Sequence, residues 1–268
     1  MSKANPSTAK LIVFTDLDGT LLDHDSYSWD AARPALERML SLSVPLVLAS
    51  SKTALELADL RRALGFEHCP AIVENGAGLL PAFEEPDQDA KQHAQILQAL
   101  AELPAELRAQ YTGFSDWSVA ECAAQTGLPL EQAEQARNRQ FSEPGLWAGT
   151  ADQRQLFEDL LGKKGITARQ GGRYLTLSFG ATKADWMAHI VGAFDPKPAT
   201  MALGDAPNDV EMICAADHGV IIRNTHGAGI PTLEAEAAGA IVRTELAGPA
   251  GWNIEVLECL TKYYAEEE

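Results

Sequence analysis

Positive charge is scarce in this chain. Its 268 residues carry 21 Lys and Arg against 38 Asp and Glu, a formal net charge of −17. Such an excess repels polyanions, so neither nucleic acid nor an anionic membrane surface is expected as a partner. A small anionic ligand would need a local positive site, built from a metal ion or a few basic side chains. Cysteine is sparse too: Cys69, Cys122, Cys214 and Cys259 lie far apart and form no Cys-x-x-Cys pair. The six histidines show no zinc-binding spacing either, and reduced thiols in a cytoplasm are the simplest expectation. Long apolar runs are missing. Val44–Ala49 is far too short to span a bilayer, and Met1–Lys10 is polar, with no apolar core of signal-peptide type. No Gly-x-x-x-x-Gly-Lys-[Ser/Thr] stretch occurs, which disfavours a nucleotide-dependent kinase. Gly76-Ala-Gly78 and Gly227-Ala-Gly229 lack the third glycine of a dinucleotide-binding turn. What remains is a chain 46% hydrophobic and 22% charged, suited to a folded cytoplasmic protein of one large domain or two modest ones.

Periodicity then divides the chain. Leu11–Phe14, Val44–Ala49 and Ala71–Val73 are short apolar runs that read as buried strands. Between them lie a helix over Ala35–Leu42, with Pro34 in its first turn, and a second carrying Leu57, Leu60 and Leu64 before Gly65. Strand, helix, strand, helix, strand is the rhythm of a parallel sheet covered on both sides. Beyond Pro81 the rhythm breaks at the linker-like stretch Glu84–Asp89. Capping boxes at Ser118/Glu121 and Thr150/Gln153 mark helices. Ile166–Gln170 and Arg173–Phe179 flank Gly171-Gly172 as a tight hairpin. The first rhythm resumes after Gly180, with a helix over Ala184–Val191, a strand over Thr200–Leu203 and a helix from Asn208. Strand candidates follow at Gly219–Ile222 and Ala240–Val242, and a last helix at Ile254–Tyr264.

Asp16-Leu-Asp18-Gly-Thr20 follows directly on the first strand. Ligands of open α/β sheets bind at the carboxyl ends of strands. Two carboxylates two residues apart there can hold a hard cation such as Mg²⁺. One can attack phosphorus, and the other can protonate a leaving oxygen and later activate water. An isolated Asp-x-Asp is more often a plain acidic turn; the full string after a buried strand is far more specific. At this point the chain resembles the haloacid dehalogenase superfamily, whose first motif is Asp-x-Asp-x-Thr. The resemblance implies that Asp16 is a nucleophile, Asp18 a general acid and base, and Mg²⁺ the cofactor.

Three further stretches match in the order that resemblance implies. Ser50-Ser-Lys-Thr53 lies where the second strand gives way to a helix, whose free N–H groups favour phosphate. Ser50 fits the second motif, although many relatives carry Thr there and a plain N-cap would look the same. Lys183 opens a helix behind Thr182, an unfavourable place for a cation by about 0.3–1 kcal/mol. The resemblance supplies a reason: neutralising a phosphoryl group and the nucleophile. Lys163, Lys164 and Arg173 compete for that role, and relatives often read Lys-Gly where this chain has Lys183-Ala184. Gly204-Asp205-Ala-Pro-Asn208-Asp209 sets three oxygen-bearing side chains at a strand end, suited to a hydrated Mg²⁺. The expected metal set is Asp16, Asp18 through its carbonyl, Asp205 and Asp209, with Asn208 in support.

These motifs imply a doubly wound, mostly parallel Rossmann-like α/β core formed by residues 1–81 and 181–268, with residues 82–180 inserted as an α+β cap. Linkers near Pro81–Gln88 and Phe179–Thr182 would act as hinges. Among relatives with a large cap, the strings Ser50–Thr53, Glu74-Asn-Gly-Ala77, Gln140-Phe-Ser-Glu-Pro144, Gly171-Gly-Arg173 and Gly248-Pro-Ala-Gly-Trp252 are most similar to the mannosyl-3-phosphoglycerate phosphatases. That resemblance implies a phosphorylated sugar or glycosyl phosphoglycerate as substrate, releasing a glycosylglycerate of the compatible-solute type. Ser51, Lys52, Asn75, Ser142, Glu143, Gly171, Gly172, Arg173 and Asn208 are the candidate substrate contacts. Arg173 would take the substrate's carboxylate, because a planar guanidinium binds it with two hydrogen bonds. Two alternatives use the same four motifs: a phosphatase of other sugar phosphates, and a mutase moving phosphate within a sugar.

Overall fold

The structure is a computed structural model that describes residues 9–86, 89–227 and 229–265. The apolar run after Lys10 forms β1 (Leu11–Thr15), all five residues buried. It is followed by α1 (Arg33–Leu42), β2 (Leu46–Ala49), α2 (Ala54–Ala63), β3 (Ala71–Val73) and β4 (Gly78–Leu80). A middle segment follows: α3 (Lys91–Ala101), α4 (Ala105–Arg108), β5 (Tyr111–Gly113), α5 (Val119–Thr126) and α6 (Leu130–Arg137). It continues with β6 (Glu143–Trp147), α7 (Ala151–Gly162), β7 (Thr167–Gly171) and β8 (Tyr174–Ser178). The chain closes with α8 (Lys183–Gly192), β9 (Ala199–Gly204), α9 (Val210–Ala215), β10 (His218–Arg223), α10 (Glu234–Ala237), β11 (Ile241–Ala247) and α11 (Gly248–Tyr264).

Seven strands form one sheet in the order β11-β10-β9-β1-β2-β3-β4, parallel throughout except that β4 runs against β3. Alternation along β1 explains its two-sided burial. Leu11 and Val13 face a cluster that includes Met39, Leu57, Trp252 and Val256; Ile12 and Phe14 face one that includes Met187, Ile190 and Met212. Helices thus cover both faces, as a parallel sheet requires. Strand order reverses between β1 and β9, which opens a crevice at their carboxyl ends.

The middle segment forms a second, antiparallel sheet in the order β5-β6-β8-β7. Tyr111, Leu175 and Leu177 pack with Phe157 in one cluster, while Phe114 and Trp117 form another against Tyr174. The fold is therefore a mostly parallel core sheet with an antiparallel cap. The expected linker at Glu84–Asp89 falls partly outside the described residues, at Asp87 and Gln88.

Two local readings differ, at the hairpin turn and at the last helix. The hairpin turns on Gly172-Arg173 rather than Gly171-Gly172, because Gly171 still pairs with Tyr174. The Gln140–Pro144 string leads into a strand: Glu143 and Pro144 begin β6, opposite Leu177 and Thr176. The last helix starts at Gly248, six residues before Ile254, with Pro249 in its first turn and Trp252 fully buried. Burial of that indole outweighs the poor helix propensity of Gly248 and Gly251.

Candidate active site

Five of the parallel core strands, β1, β2, β3, β9 and β10, are each followed by a polar residue at the same edge of the sheet: Asp16, Ser50, Glu74, Asp205 and Asn224. Asp16 follows β1, and its N–H donates to Leu203 O of β9 at 2.9 Å. Its position is steadied from below: the Thr15 hydroxyl donates to Asp16 O, and Trp252 Nε1 donates to Thr15 Oγ1 at 3.0 Å. The string ending in Trp252 therefore helps to fix the end of β1.

Lys183 enters from α8, whose N-cap Thr182 forms a capping box with Asp185. Its ammonium, 2% exposed, donates to Asp16 Oδ1 at 2.8 Å and to Asp209 Oδ1 at 2.6 Å. The approach of α8 depends on Gly76, which has φ +92°; a Cβ there would lie 2.3 Å from Lys183 N. Trp186 Nε1 donates to Gly76 O and ties the same turn to α8. Of the basic residues considered from sequence, Lys183 is the one bonded to Asp16, whereas Lys164 pairs with Glu102 in the cap.

Asp209, fully buried, accepts from the Asp205 and Ala206 N–H groups through Oδ2. Asp205 accepts from Thr20 Oγ1 at 3.1 Å and from Asn224 Nδ2 at 2.6 Å. Neither Thr20 nor Asn224 stood among the expected contacts. Thr20 closes the Asp16–Thr20 string, and Asn224 follows β10 directly, so the strand-end rule applied to every parallel strand points to both.

One carboxylate oxygen from each of Asp16, Asp205 and Asp209 can gather within 4.8 Å of the others, all three residues being buried. Three acids face a single ammonium. Burial and the Asp209 charge raise the Asp16 carboxyl well above the usual range, against the pull of Lys183. Burial and Asp209 push Asp205 up to about 6. Burial opposes the charge on Lys183, but Asp16 and Asp209 more than offset it and raise the lysine. Excess negative charge on hard oxygen donors fits a divalent cation such as Mg²⁺. The Asp18 carboxylate is not part of this cluster. Its Oδ2 pairs with Lys52 Nζ at 3.0 Å, and its Oδ1 is enclosed with no hydrogen-bond partner.

Ser50, 1% exposed, accepts from Lys52 N–H through its hydroxyl. The N-cap of α2 is Thr53, not Ser50 or Ser51, which leaves the Ser50 proton for another acceptor. Asn75, half-buried, donates its N–H to Ser50 O and accepts from Asn208 Nδ2 at 3.1 Å. Gly171 of the hairpin comes within 4.0 Å of Asn75 Nδ2, measured from where a Cβ would sit.

Other expected contacts lie elsewhere. Ser142 and Glu143 are fully buried. Ser142 Oγ donates to Glu74, while the Glu143 carboxylate accepts from Ser115 and pairs with His93. Their side chains face the interior because they lead into the middle of the cap sheet. Ser51 points outward, and its carbonyl accepts from Arg139 at 2.9 Å. Gly172 stands in open space at the hairpin turn. Arg173 donates to Gln125 O and Thr126 O, the last carbonyls of α5, so its guanidinium caps a cap helix.

Comparison with known proteins agrees with this geometry. A family model for haloacid dehalogenase-like hydrolases matches residues 13–125 and 150–230, more than half of the chain. Among solved structures, a haloacid dehalogenase superfamily phosphatase of Bacteroides thetaiotaomicron is similar at TM-score 0.62 and 17% identity, covering 98% of both chains. A Streptococcus mutans protein matches at 0.60 and 18% identity, covering 97% of this chain and 100% of that one. A sucrose-phosphatase of Synechocystis, solved with sucrose and phosphate, matches at 0.57 and 17% identity, covering 96% of this chain and 98% of that one. At these identities the structures speak to the fold, and the family match reaches further: the chain belongs to the haloacid dehalogenase-like hydrolases.

Proposed function

We propose that this protein is a Mg²⁺-dependent phosphatase that works through an aspartyl-phosphate on Asp16. The observation that carries the reading is the buried Lys183 ammonium held between Asp16 and Asp209, with Asp205 completing the acidic cluster. Lys183 fixes one Asp16 oxygen and leaves the other to attack phosphorus in line. As the Asp16–phosphorus bond forms, the ester oxygen departs and takes a proton from Asp18. Asp18 then removes a proton from water, which attacks the same phosphorus, releases phosphate and restores Asp16. Ser50 and Lys183 hold the phosphoryl oxygens. Asp16, Asp205, Asp209 and the Asp18 carbonyl would hold Mg²⁺, which when bound neutralises charge on the phosphoryl oxygens.

The domain division at residues 82–180 is supported by β5–β8 forming their own sheet between β4 and β9. We assign mannosyl-3-phosphoglycerate, or its glucosyl counterpart, as the substrate, with the glycosylglycerate and phosphate as products. The support is the set of strings at Ser50–Thr53, Glu74–Ala77, Gln140–Pro144, Gly171–Arg173 and Gly248–Trp252. A carboxylate on that substrate calls for a cation beyond Lys183. Lys52, beside Asp18, and Arg173, on the hairpin that reaches Asn75, are the two candidates. Among the described residues no helix is long and apolar enough to cross a membrane.

Phosphate release from a panel of hexose phosphates, glycosyl phosphoglycerates and p-nitrophenyl phosphate tests the reading. Asp16→Asn should abolish turnover with the fold intact, because an amide is a poor nucleophile. Asp18→Asn should slow it by ~10²–10⁴-fold. Near wild-type turnover in pure Asp16→Asn protein would overturn the mechanism, and faster release from simple hexose phosphates would overturn the substrate.

A further inference from the structure

The turn after β3 reaches both sheets. Glu74 and Asn75 adopt left-handed backbone, φ 50° and 61°, a conformation that is uncommon for a non-glycine residue such as Glu74. Core contacts hold it there: Glu74 N–H donates to Lys52 O at 2.8 Å, and Asn75 N–H donates to Ser50 O at 2.7 Å. The turn directs the Glu74 side chain, 1% exposed, into the segment joining α6 to β6. There its carboxylate accepts from Gln140 N at 2.7 Å, from Phe141 N at 3.1 Å and from Ser142 Oγ at 2.7 Å. Nearby, Phe141 lies flat on Gly78, where a Cβ would sit 2.3 Å from the ring. Thr53 Oγ1 to Gln135 O and Arg139 Nη1 to Ser51 O bring the same cap stretch onto the Ser50–Thr53 loop.

None of these groups is needed for the chemistry at phosphorus. They join two things that substrate recognition requires together: the loop bearing Ser50 and Lys52, and the sheet that covers the leaving group. Resting on the phosphatase reading above, we propose that Glu74 is a positioning residue that pins the cap to the core and thereby sets which leaving groups the site accepts. A phosphoryl group meets only core residues, so a small ester is insensitive to cap placement. A large leaving group is held between cap and core, and its fit changes when the pin is lost.

Glu74→Gln isolates the carboxylate. An amide offers one oxygen where the carboxylate offered two, so either Gln140 or Phe141 loses its acceptor, while the Ser142 hydroxyl can turn to accept. Hydrogen exchange at the Gln140 and Phe141 amides should accelerate. Losing one buried hydrogen bond to a charged group should lower kcat/KM for the best sugar-phosphate substrate about tenfold to a hundredfold, with p-nitrophenyl phosphate unchanged. Gly78→Ala displaces Phe141 without touching Glu74 and should produce the same selective loss, which keeps the idea testable if Glu74→Gln does not fold. Equal losses on both esters would reduce Glu74 to a structural role. Unchanged amide exchange in Glu74→Gln would overturn the pin itself. Exchange reads the pin independently of activity, so a wild type that releases no phosphate would count against the phosphatase reading alone.

Discussion

Lys183→Met removes one charge from the site and keeps most of the side-chain volume. In the wild type a single ammonium, 2% exposed, serves two carboxylates at 2.8 and 2.6 Å. Removing one partner of a buried ion pair destabilises by about 3–5 kcal/mol, and a lysine shared by two acids belongs at the upper end. At about 2–4 °C for each kcal/mol, the melting temperature should fall by about 10–20 °C near pH 8 with a chelator present. The pH dependence has a definite direction. Burial and Asp209 already hold the Asp16 carboxyl above its ordinary range, and Lys183 is what pulls it down. Without the lysine that carboxyl rises further. A group that binds its proton more tightly folded than unfolded favours folding as pH falls. Lys183 also pulls down Asp205, which stands at about 6 in the wild type and rises further without the lysine. The deficit should therefore be largest near pH 8 and shrink through about pH 6. Millimolar Mg²⁺ should restore part of it near pH 8, because a bound cation stabilises the folded state by mass action. Differential scanning calorimetry of both proteins at the two pH values, with and without Mg²⁺, gives the comparison. A deficit that is absent near pH 8, or that grows on acidification, would refute the reasoning.

Chelation should abolish turnover of the wild type, and Mg²⁺ affinity by titration calorimetry should weaken as pH falls through about 6, where Asp205 must surrender a proton to bind metal; affinity independent of pH from 5 to 8 would count against Asp205 as a ligand. Gly76→Ala sets a Cβ 2.3 Å from Lys183 N and strains a φ of +92°. Displacing the lysine by even 1 Å should lower kcat about a hundredfold, and a fully active variant would show that the turn does not place it. Lys52→Ala and Arg173→Ala separate the two candidates for the substrate's carboxylate: the true receptor should lose kcat/KM on a glycosyl phosphoglycerate well beyond its loss on p-nitrophenyl phosphate. Lys52 stands within the site, so it is expected to be the selective one; selective loss in Arg173→Ala instead would return the role to the hairpin.

Much of the core was legible because each local signal agreed with the fold. Leu11–Phe14, Val44–Ala49 and Ala71–Val73 are apolar runs of strand length, and strands buried on both faces have no other signature. Capping boxes at Ser118 and Thr150 stand where the sequence placed them. Harder to see were β6, which carries Pro144 in a central strand where proline is seldom found, and β4, three residues that pair only because the chain doubles back. Asn224 escaped notice because its contact with Asp205 spans 19 residues and follows from the neighbouring positions of β9 and β10 in the sheet, not from any spacing along the chain.

The cap strings teach a more specific lesson. Gln140–Pro144 has the composition of a sugar-binding stretch, polar side chains beside an aromatic, and its neighbours in space decide its role. Ser142 and Glu143 are buried, and their partners are Glu74, Ser115 and His93, all supplied by this chain. A polar group that already has internal partners has little to offer a ligand, since recruiting it would leave those partners unsatisfied at about 1–3 kcal/mol each. On the reading proposed for Glu74, the string bears on substrate choice through the docking of the cap. Two proteins that share Glu74 and Gln140–Ser142 would share a cap placement, and with it the volume left for the leaving group. Resemblance in these strings can in this way accompany a shared substrate through side chains whose partners are internal.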